Sequence, residues 1–250
     1  MSEFALYREP VLLDVAKHRD LKLVPLADRS MASGLHASFL AVAEFVHAAR
    51  EFVIVFVRNE VEGGTEVQPI VMLGVAAGEN LFVESAAGST WQARYVPAYI
   101  RRYPFTTTRL EGQAGSAVMF DAWWKGFSRT EGDPLYESDN KAAPRLAEVV
   151  GFLEQFDLEA ARTLEFCNRL VALDLLRDMT ANVTLPSGQT MALGGFLVVD
   201  EAKLQALPDA QVVEMHRNGM MAMLYAHLAS LDNLQGLLDR KARRVAGPPH

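Results

Sequence analysis

Apolar residues recur at three- and four-residue steps through the middle of the chain, over residues 149–171. This spacing places them on one face of a helix about six turns long. Pro144 suits the first turn of such a helix, and Asp139 or Asn140 can cap its N-terminus. The pattern therefore predicts a long amphipathic helix, with the lone cysteine, Cys167, on its apolar face.

The N-terminal half combines one helical pattern with several strand patterns. Apolar residues at helical steps predict a helix over 36–50, and the β-branched and aromatic run at 52–57 is typical of a strand buried on both faces. Residues 70–75 and 81–83 predict a hairpin around a Gly-Glu-Asn turn. A further strand is predicted over 116–120.

The C-terminal half predicts long helices and one more hairpin. The hairpin covers 181–193, with its turn at Pro-Ser-Gly and a bulge or tight bend at the following Gly194-Gly195. A strand over 196–199 then leads into helices that begin at Asp200 and Asp209. The last helix is predicted over 220–243.

Strands and helices are thus interspersed along the chain, but they do not repeat as strand–helix–strand units. This order favours an α+β fold over a doubly wound sheet. We expect a mixed sheet in the N-terminal half, and long helices plus a β-hairpin in the C-terminal half. A stretch rich in Gly, Pro, Asp and Ser at 130–140 is the best candidate for a subdivision of an otherwise single domain of 250 residues.

Composition narrows the class of protein. Half of the residues are hydrophobic and the net charge is −7, which excludes intrinsic disorder and argues against nucleic acid or anionic membranes as partners. The single cysteine excludes an internal disulfide. The first residues show no secretory pattern, and the longest uncharged apolar stretch, 218–231, is shorter than the ~20 residues that a membrane span needs. We therefore expect a cytoplasmic location.

The histidines give no metal-binding pattern. His36 and His47 are eleven residues apart, as are His216 and His227, and that separation on a helix is ~16 Å, too far to share an ion. Glu44-x-x-His47 has the spacing of di-iron bundles, but a second copy is missing. We predict no metal site and interpret both residues as ordinary surface or core side chains.

Catalytic motifs are also missing. The sequence contains no Gly-x-Ser-x-Gly elbow, no Gly-x-Gly-x-x-Gly fingerprint and no phosphate-binding loop. Cys167 lies among apolar residues, so a buried structural thiol is the favoured interpretation. We predict no catalytic residue and no cofactor.

One segment is unusually rich in rings and guanidinium groups. Four aromatic residues recur at four-residue steps, which places neighbours on one face of a helix or of a strand. They could form a platform that binds a ligand or partner, or a short helix that packs its tyrosines on the sheet. The candidate binding residues are Trp91, Tyr95, Tyr99, Arg101, Arg102 and Tyr103.

The last predicted helix carries a second group of polar side chains, Tyr225, His227, Ser230 and Asn233, among apolar neighbours. If buried, these groups must be hydrogen-bonded. They form either a site or a structural polar cluster.

Several motifs resemble the bacterial SapC family. They are YVPAYIRRYPF at 95–105, LGGFLVVDE at 193–201 followed by Lys203-Leu204, YAHLxSLxNL at 225–234, and GENLF at 78–82. The family name comes from a protein linked to surface-layer assembly, and the resemblance brings no established catalytic residues. Where a cysteine is expected just before Asp121, this chain has Met119 and Phe120, so no catalytic thiol is inferred there.

The resemblance implies a setting rather than a reaction. Family members often occur in gene clusters with outer-membrane receptors and flavin-dependent, tryptophan-halogenase-like proteins. The favoured hypothesis is a non-enzymatic accessory or binding protein of a surface-layer or nutrient-uptake pathway, which recognises a partner protein or a small molecule. The alternative is an enzyme with an unrecognised site that acts on a small or peptidyl substrate alongside the halogenase-like protein.

Overall fold

The computed structural model describes residues 6–61, 63–84, 88–110, 115–184 and 190–246. The strands are β1 (Pro10–Leu12), β2 (Lys22–Leu23), β3 (Ala37–Phe39), β4 (Ile54–Val61), β5 (Gly64–Met72), β6 (Phe105–Arg109), β7 (Ser116–Asp121), β8 (Phe127–Ser128), β9 (Asp133–Pro134), β10 (Leu176–Thr184) and β11 (Thr190–Val199). The α-helices are α1 (Val15–His18), α2 (Phe45–Ala48), α3 (Ala98–Arg101), α4 (Pro144–Ala172), α5 (Glu201–Gln205), α6 (Asp209–Arg217), α7 (Met220–Ser230) and α8 (Asn233–Ala246). The α+β prediction is confirmed.

The central sheet has the order β10-β11-β4-β5-β3, and each of its described pairings is antiparallel, so the sheet that was expected to be mixed is antiparallel over the described residues. The C-terminal hairpin β10–β11 therefore extends the sheet of the N-terminal half. A single residue pair, Leu197 with Phe56, joins β11 to β4. The predicted strand at 52–57 is confirmed in β4, whose first residues are buried because they lie at the centre of this sheet.

The bulge predicted at Gly194-Gly195 is present. The register shifts between Met179 and Ala181, so that Thr180 alone faces the two glycines. Gly195 has a φ of +83°, which favours glycine, and a Cβ on Gly194 would lie 3.1 Å from the Thr180 hydroxyl oxygen. The predicted turn at 186–188 lies outside the described residues.

Two smaller sheets, β1-β7-β6 and β8-β2-β9, enclose a second hydrophobic core beside the main one. The long helix α4 is confirmed and contributes to both cores, with Leu153 in the second and Cys167 in the main one. It begins at Pro144 as predicted, but its N-cap residue is Ala143 rather than Asp139 or Asn140.

Three predictions about the type or the extent of an element are wrong. The segment predicted as one helix over 36–50 contains β3, a 3-10 turn at Val42–Glu44 and only four residues of α2. Residues 81–83 form no strand, and β5 pairs instead with β4 and β3. The last predicted helix is divided into α7 and α8.

The segment 130–140, the candidate for a subdivision, contacts the rest of the chain. Within it, β9 pairs with β2 and Leu135 is buried in the second core. The subdivision stays a prediction.

Candidate binding site

A cleft of about 290 Å³ lies where the two cores meet. Its walls come from four parts of the chain: the end of β2 with the loop that follows it, the end of α3 with the start of β6, the loop after β7, and the first turns of α4. We call it the arginine cleft. Its lining residues are Leu23, Pro25, Leu26, Arg29, Arg101, Arg102, Tyr103, Pro104, Phe105, Trp124, Arg145, Glu148, Val149, Phe152 and Leu153.

Arg102 is the most unusual residue of the cleft, because it is a cation with only 6% of its surface exposed. Its guanidinium carbon lies 4.5 Å from the ring centroid of Tyr99 and 4.6 Å from that of Phe156. Its Nε is buried and has no hydrogen-bond partner among the described residues, and Arg102 forms no ion pair with them. Cation–π contacts stabilise such a group by roughly 0.5–2 kcal/mol, whereas burial of an unpaired charge costs several kcal/mol.

Three more arginines line the same cleft. Arg29 is half-buried, and burial lowers the pKa of its guanidinium although the neighbouring Asp28 opposes the change. Arg145 donates from Nη1 to Glu148 at 3.0 Å, but its Nε is buried and unpartnered among the described residues. Arg101 is exposed at the rim, with its guanidinium carbon 5.4 Å from the ring of Phe152. The cleft therefore combines four cations with one carboxylate.

The remaining wall of the cleft is apolar, and Trp124 is its largest element. Trp124 packs edge-on against Phe127 at 5.0 Å between ring centroids. A Cβ on Gly126 would lie only 2.2 Å from the indole ring, so glycine at this position permits the tryptophan to fold back over the chain. Leu26 and Trp123 are exposed beside an adjoining cavity of about 350 Å³, which shares Trp124 and Tyr103 with the cleft.

A fully buried carboxylate, Asp121, holds the floor of the cleft in place. It accepts hydrogen bonds from the backbone N–H of Arg8, Glu9 and Trp123 and from the hydroxyl of Tyr103, the last at 2.9 Å. Burial, together with the hydrogen bond and charge of Asp121, raises the pKa of Tyr103. Because its phenol stays protonated, Tyr103 acts as a donor that ties the segment after α3 to the end of β7.

Tyr7 forms a hydrogen bond with the first residue of β6. Its hydroxyl donates to the carbonyl of Phe105 at 2.6 Å, and burial raises its pKa although the nearby Arg102 opposes the change. The sequence analysis singled out neither Asp121 nor Tyr7 as a positioning residue. The sequence contains no signal for Tyr7, because its partner is a backbone carbonyl 98 residues away.

The six candidate binding residues do not share one exposed surface. Tyr99, Arg102 and Tyr103 are buried, and the cleft brings together only Arg101, Arg102 and Tyr103. The expected row of four rings is wrong because α3 has only four residues and begins after Tyr95. Their binding role stays a prediction.

Trp91 and Tyr95 lie apart from the cleft. The indole Nε1 of Trp91 donates to the carbonyl of Tyr95 at 2.8 Å, and the ring stacks on Phe82. The hydroxyl of Tyr95 donates at 2.6 Å to the buried carboxylate of Glu44, and burial and this contact raise its pKa. His47 stacks on the ring of Tyr95 at 5.8 Å. These contacts fasten the segment before α3 to α2.

The second predicted cluster is divided as well. Tyr225 is 58% exposed, whereas His227 is fully buried between β4 and β11. His227 Nδ1 lies 2.9 Å from the carbonyl oxygen of Ile54 and Nε2 accepts from the N–H of Val199 at 3.1 Å, which assigns the proton to Nδ1. The imidazole thus bridges the two strands where their ladder has only one residue pair.

Asn233 and Ser230 extend this bridge. The amide of Asn233 donates to the carbonyls of Ala49 and Phe52, and the hydroxyl of Ser230 accepts from the N–H of Ile54 at 3.0 Å. Each of these polar groups is satisfied by backbone. Their contacts are structural, and they leave no free donor or acceptor of His227 for a ligand.

The remaining candidate nucleophile, Cys167, lies in the core. It is fully buried, and burial raises the pKa of its thiol to about 12.

Across the residues that the structure describes, no group of three His, Cys, Asp or Glu side chains is arranged to hold a metal ion. The prediction of a metal-free protein stays a prediction. No described helix is both long and apolar enough to span a membrane.

Taken together, the fold and the cleft define an α+β protein with a ligand-sized, arginine-lined depression between two cores. The chain belongs to the SapC family, since the model of that family matches residues 13–237. The match covers nearly the whole chain and confirms the resemblance carried by its motifs. No curated protein and no solved structure gave a match.

Proposed function

We propose that the protein is a non-enzymatic binding protein and that it recognises a small molecule in the arginine cleft. The observation that carries this proposal is the buried guanidinium of Arg102, a lining residue of the cleft that has no ion-pair partner and an unpartnered Nε among the described residues. Because an unpaired buried charge lowers stability, its presence is best explained by a partner outside the chain. The cleft is close to the lower end of the volumes, roughly 300–1,000 Å³, that small-molecule sites occupy.

The side chains around the cleft favour binding over catalysis. General acid–base and nucleophilic catalysis need a group that can exchange a proton or attack near neutral pH. The raised pKa values of Tyr7 and Tyr103 keep both phenols protonated, and the only carboxylate on the wall, Glu148, is paired with Arg145. Cys167 is not among the lining residues. These groups can orient a ligand, but none of them is poised to react.

The setting of this binding role is part of the proposal. We propose that this role belongs to a surface-layer or nutrient-uptake pathway, with a functional link to a halogenase-like flavoprotein, as the resemblance to the SapC family implies. We also propose a cytoplasmic location, because the single cysteine is a buried free thiol and the cytoplasm is a reducing compartment. Fractionation of host cells tests the location, and affinity purification from host lysate tests the link to the flavoprotein.

The proposal is tested by native mass spectrometry of protein purified from its own host. We expect a retained mass above that of the polypeptide, which is lost on denaturation. Val149→Phe fills the cleft from α4 and should abolish retention, whereas Val171→Phe places the same side chain at an exposed site of the same helix and should not. Circular dichroism confirms that both variants are folded.

Two results together would overturn the proposal. The first is host-purified protein that carries no additional mass. The second is a fractionated host metabolite extract in which no fraction raises the melting temperature of the wild type more than that of Val149→Phe. Retention that is equal in the wild type and Val149→Phe would place the site elsewhere and would also refute the proposal.

A further inference from the structure

We infer that the ligand of the arginine cleft is a small organic oxyanion, with its carboxylate or phosphate held by Arg102 and its apolar body packed on Trp124 and Phe105. This inference rests on the proposed function and specifies the class of ligand. It is carried by three features of the cleft: the sign of its charge, its excess of hydrogen-bond donors and its apolar wall.

The charge of the cleft is opposite to that of the whole chain. The net charge of the protein is −7, yet the cleft collects Arg29, Arg101, Arg102 and Arg145 against the single carboxylate of Glu148. A low-dielectric concave wall strengthens such a local field. The cleft therefore attracts anions and repels metal ions and organic cations.

The donors of the cleft exceed its acceptors. Guanidinium groups donate and never accept, and two of their nitrogens, Nε of Arg102 and Nε of Arg145, are buried without a partner among the described residues. A ligand that pairs with these guanidinium groups must present acceptor oxygens. The planar fork of an arginine matches a carboxylate or a phosphate with two parallel hydrogen bonds.

Rigid surroundings hold Arg102 ready for this role. The rings of Tyr99 and Phe156 contact its guanidinium, and the following residue, Tyr103, is tied to Asp121. A side chain that is already ordered loses little conformational entropy on binding. Phe105, Trp124 and Phe152 supply an apolar surface next to the guanidinium, which fits a ligand with a hydrocarbon or aromatic body rather than a free inorganic ion.

The inference is tested with 2-naphthoate, 2-naphthyl phosphate and the neutral 2-naphthamide, titrated against the protein by calorimetry and ligand-detected NMR. We expect one or both anions to bind and the amide to bind about tenfold or more weakly, because hydrogen bonds between ions are about twice as strong as neutral ones. Comparison of the two anions identifies which oxyanion is preferred. Raising the salt concentration should weaken binding of the anions.

Three variants make the test specific. Arg102→Met removes the charge and keeps an apolar side chain within the aromatic cage, so affinity for the anions should fall about tenfold or more. Arg145→Met, at a partly exposed position, provides a second loss-of-binding variant should Arg102→Met fold poorly. Arg177→Met changes an exposed arginine on β10 outside the cleft and should bind as the wild type does.

The outcomes separate this inference from the proposed function. Equal binding of the amide and the naphthoate, or unchanged affinity in both cleft variants, would refute the oxyanion. A neutral or cationic ligand retained by host-purified protein would refute it too, while the small-molecule binding role would stand. An anionic host ligand that is lost in Arg102→Met supports the inference even if no naphthalene probe binds. If neither host ligand nor probe binds, both proposals fail.

Discussion

Acidification should destabilise the protein through the buried imidazole of His227. The imidazole is fully buried and both of its nitrogens are engaged by backbone, one of them as the acceptor of the N–H of Val199. Protonation removes that acceptor and places a charge in the core. Burial accordingly lowers the pKa of His227 from 6.5 to about 4, although the hydrogen bond to Ile54 opposes the change.

The sign and size of the effect follow from linkage. Because the folded-state pKa is the lower one, protonation favours the unfolded chain; the stabilisation is complete above pH 6.5 and is lost as the pH falls toward about 4. With 1.36 kcal/mol per pKa unit, the loss is roughly 2 kcal/mol by about pH 5 and about 3 kcal/mol near pH 4. Such a loss is a large fraction of the free energy of unfolding of a typical domain, which is roughly 5–15 kcal/mol.

The assay is urea unfolding followed by circular dichroism at a series of pH values. His227→Gln keeps a donor and an acceptor but does not titrate, so its free energy of unfolding should fall less between pH 7.5 and pH 5, by about 2 kcal/mol, than that of the wild type. His216→Gln alters an exposed histidine on α6 and should retain the wild-type pH dependence. Identical pH profiles for the wild type and His227→Gln would refute the reasoning.

Three further predictions concern other buried contacts. Cys167 should resist a thiol reagent until denaturant is added, since burial raises its pKa to about 12; fast labelling of the native protein would contradict this. Gly126→Ala should displace Trp124, which a new Cβ would meet at 2.2 Å, and so lower the melting temperature and change tryptophan fluorescence. Tyr103→Phe deletes the hydroxyl that donates to Asp121 and should cost about 1–3 kcal/mol in urea unfolding; an unchanged midpoint would exclude a positioning role.

Local pattern predicted the elements whose own residues determine them. The long α4 follows from an apolar stripe sustained for six turns, and the bulge at Gly194-Gly195 follows from two residues with unusual backbone freedom. The segment 36–50 has a helical period as well. It nevertheless begins with β3, because pairing with β5 satisfies its backbone, and long-range pairing of this kind is invisible to a local window.

The break between α7 and α8 has a similar cause. The apolar residues continue past Ser230, which is why the pattern predicts one helix over 220–243. In the structure, Asn233 turns its amide toward the carbonyls of Ala49 and Phe52, at the end of α2 and before β4. Those acceptors come from a distant part of the chain, so a local sequence pattern does not reveal this contact beside the break.

Only part of the candidate site could be predicted from local sequence patterns. The composition of residues 91–105 drew attention to Arg101, Arg102 and Tyr103, and these residues do line the cleft. Arg29 and Arg145 come from separate parts of the sequence and have no distinguishing motif. Their contribution to the charge of the cleft depends on how α4 packs against the smaller sheets, which the sequence pattern does not specify.

Arg102 and His227 show how burial alone fails to identify a functional residue. Both are polar side chains within apolar surroundings, and sequence patterns mark both as candidates. Both ring nitrogens of His227, on α7, are satisfied by backbone groups of β4 and β11, so its replacement should affect folding before anything else. Arg102 lines a cavity, and no described residue satisfies its Nε or forms an ion pair with it, which is why we propose that its guanidinium binds a ligand. The inventory of satisfied and unsatisfied donors therefore assigns His227 a structural role between β4 and β11, and it supports the proposal that the arginine cleft binds a ligand.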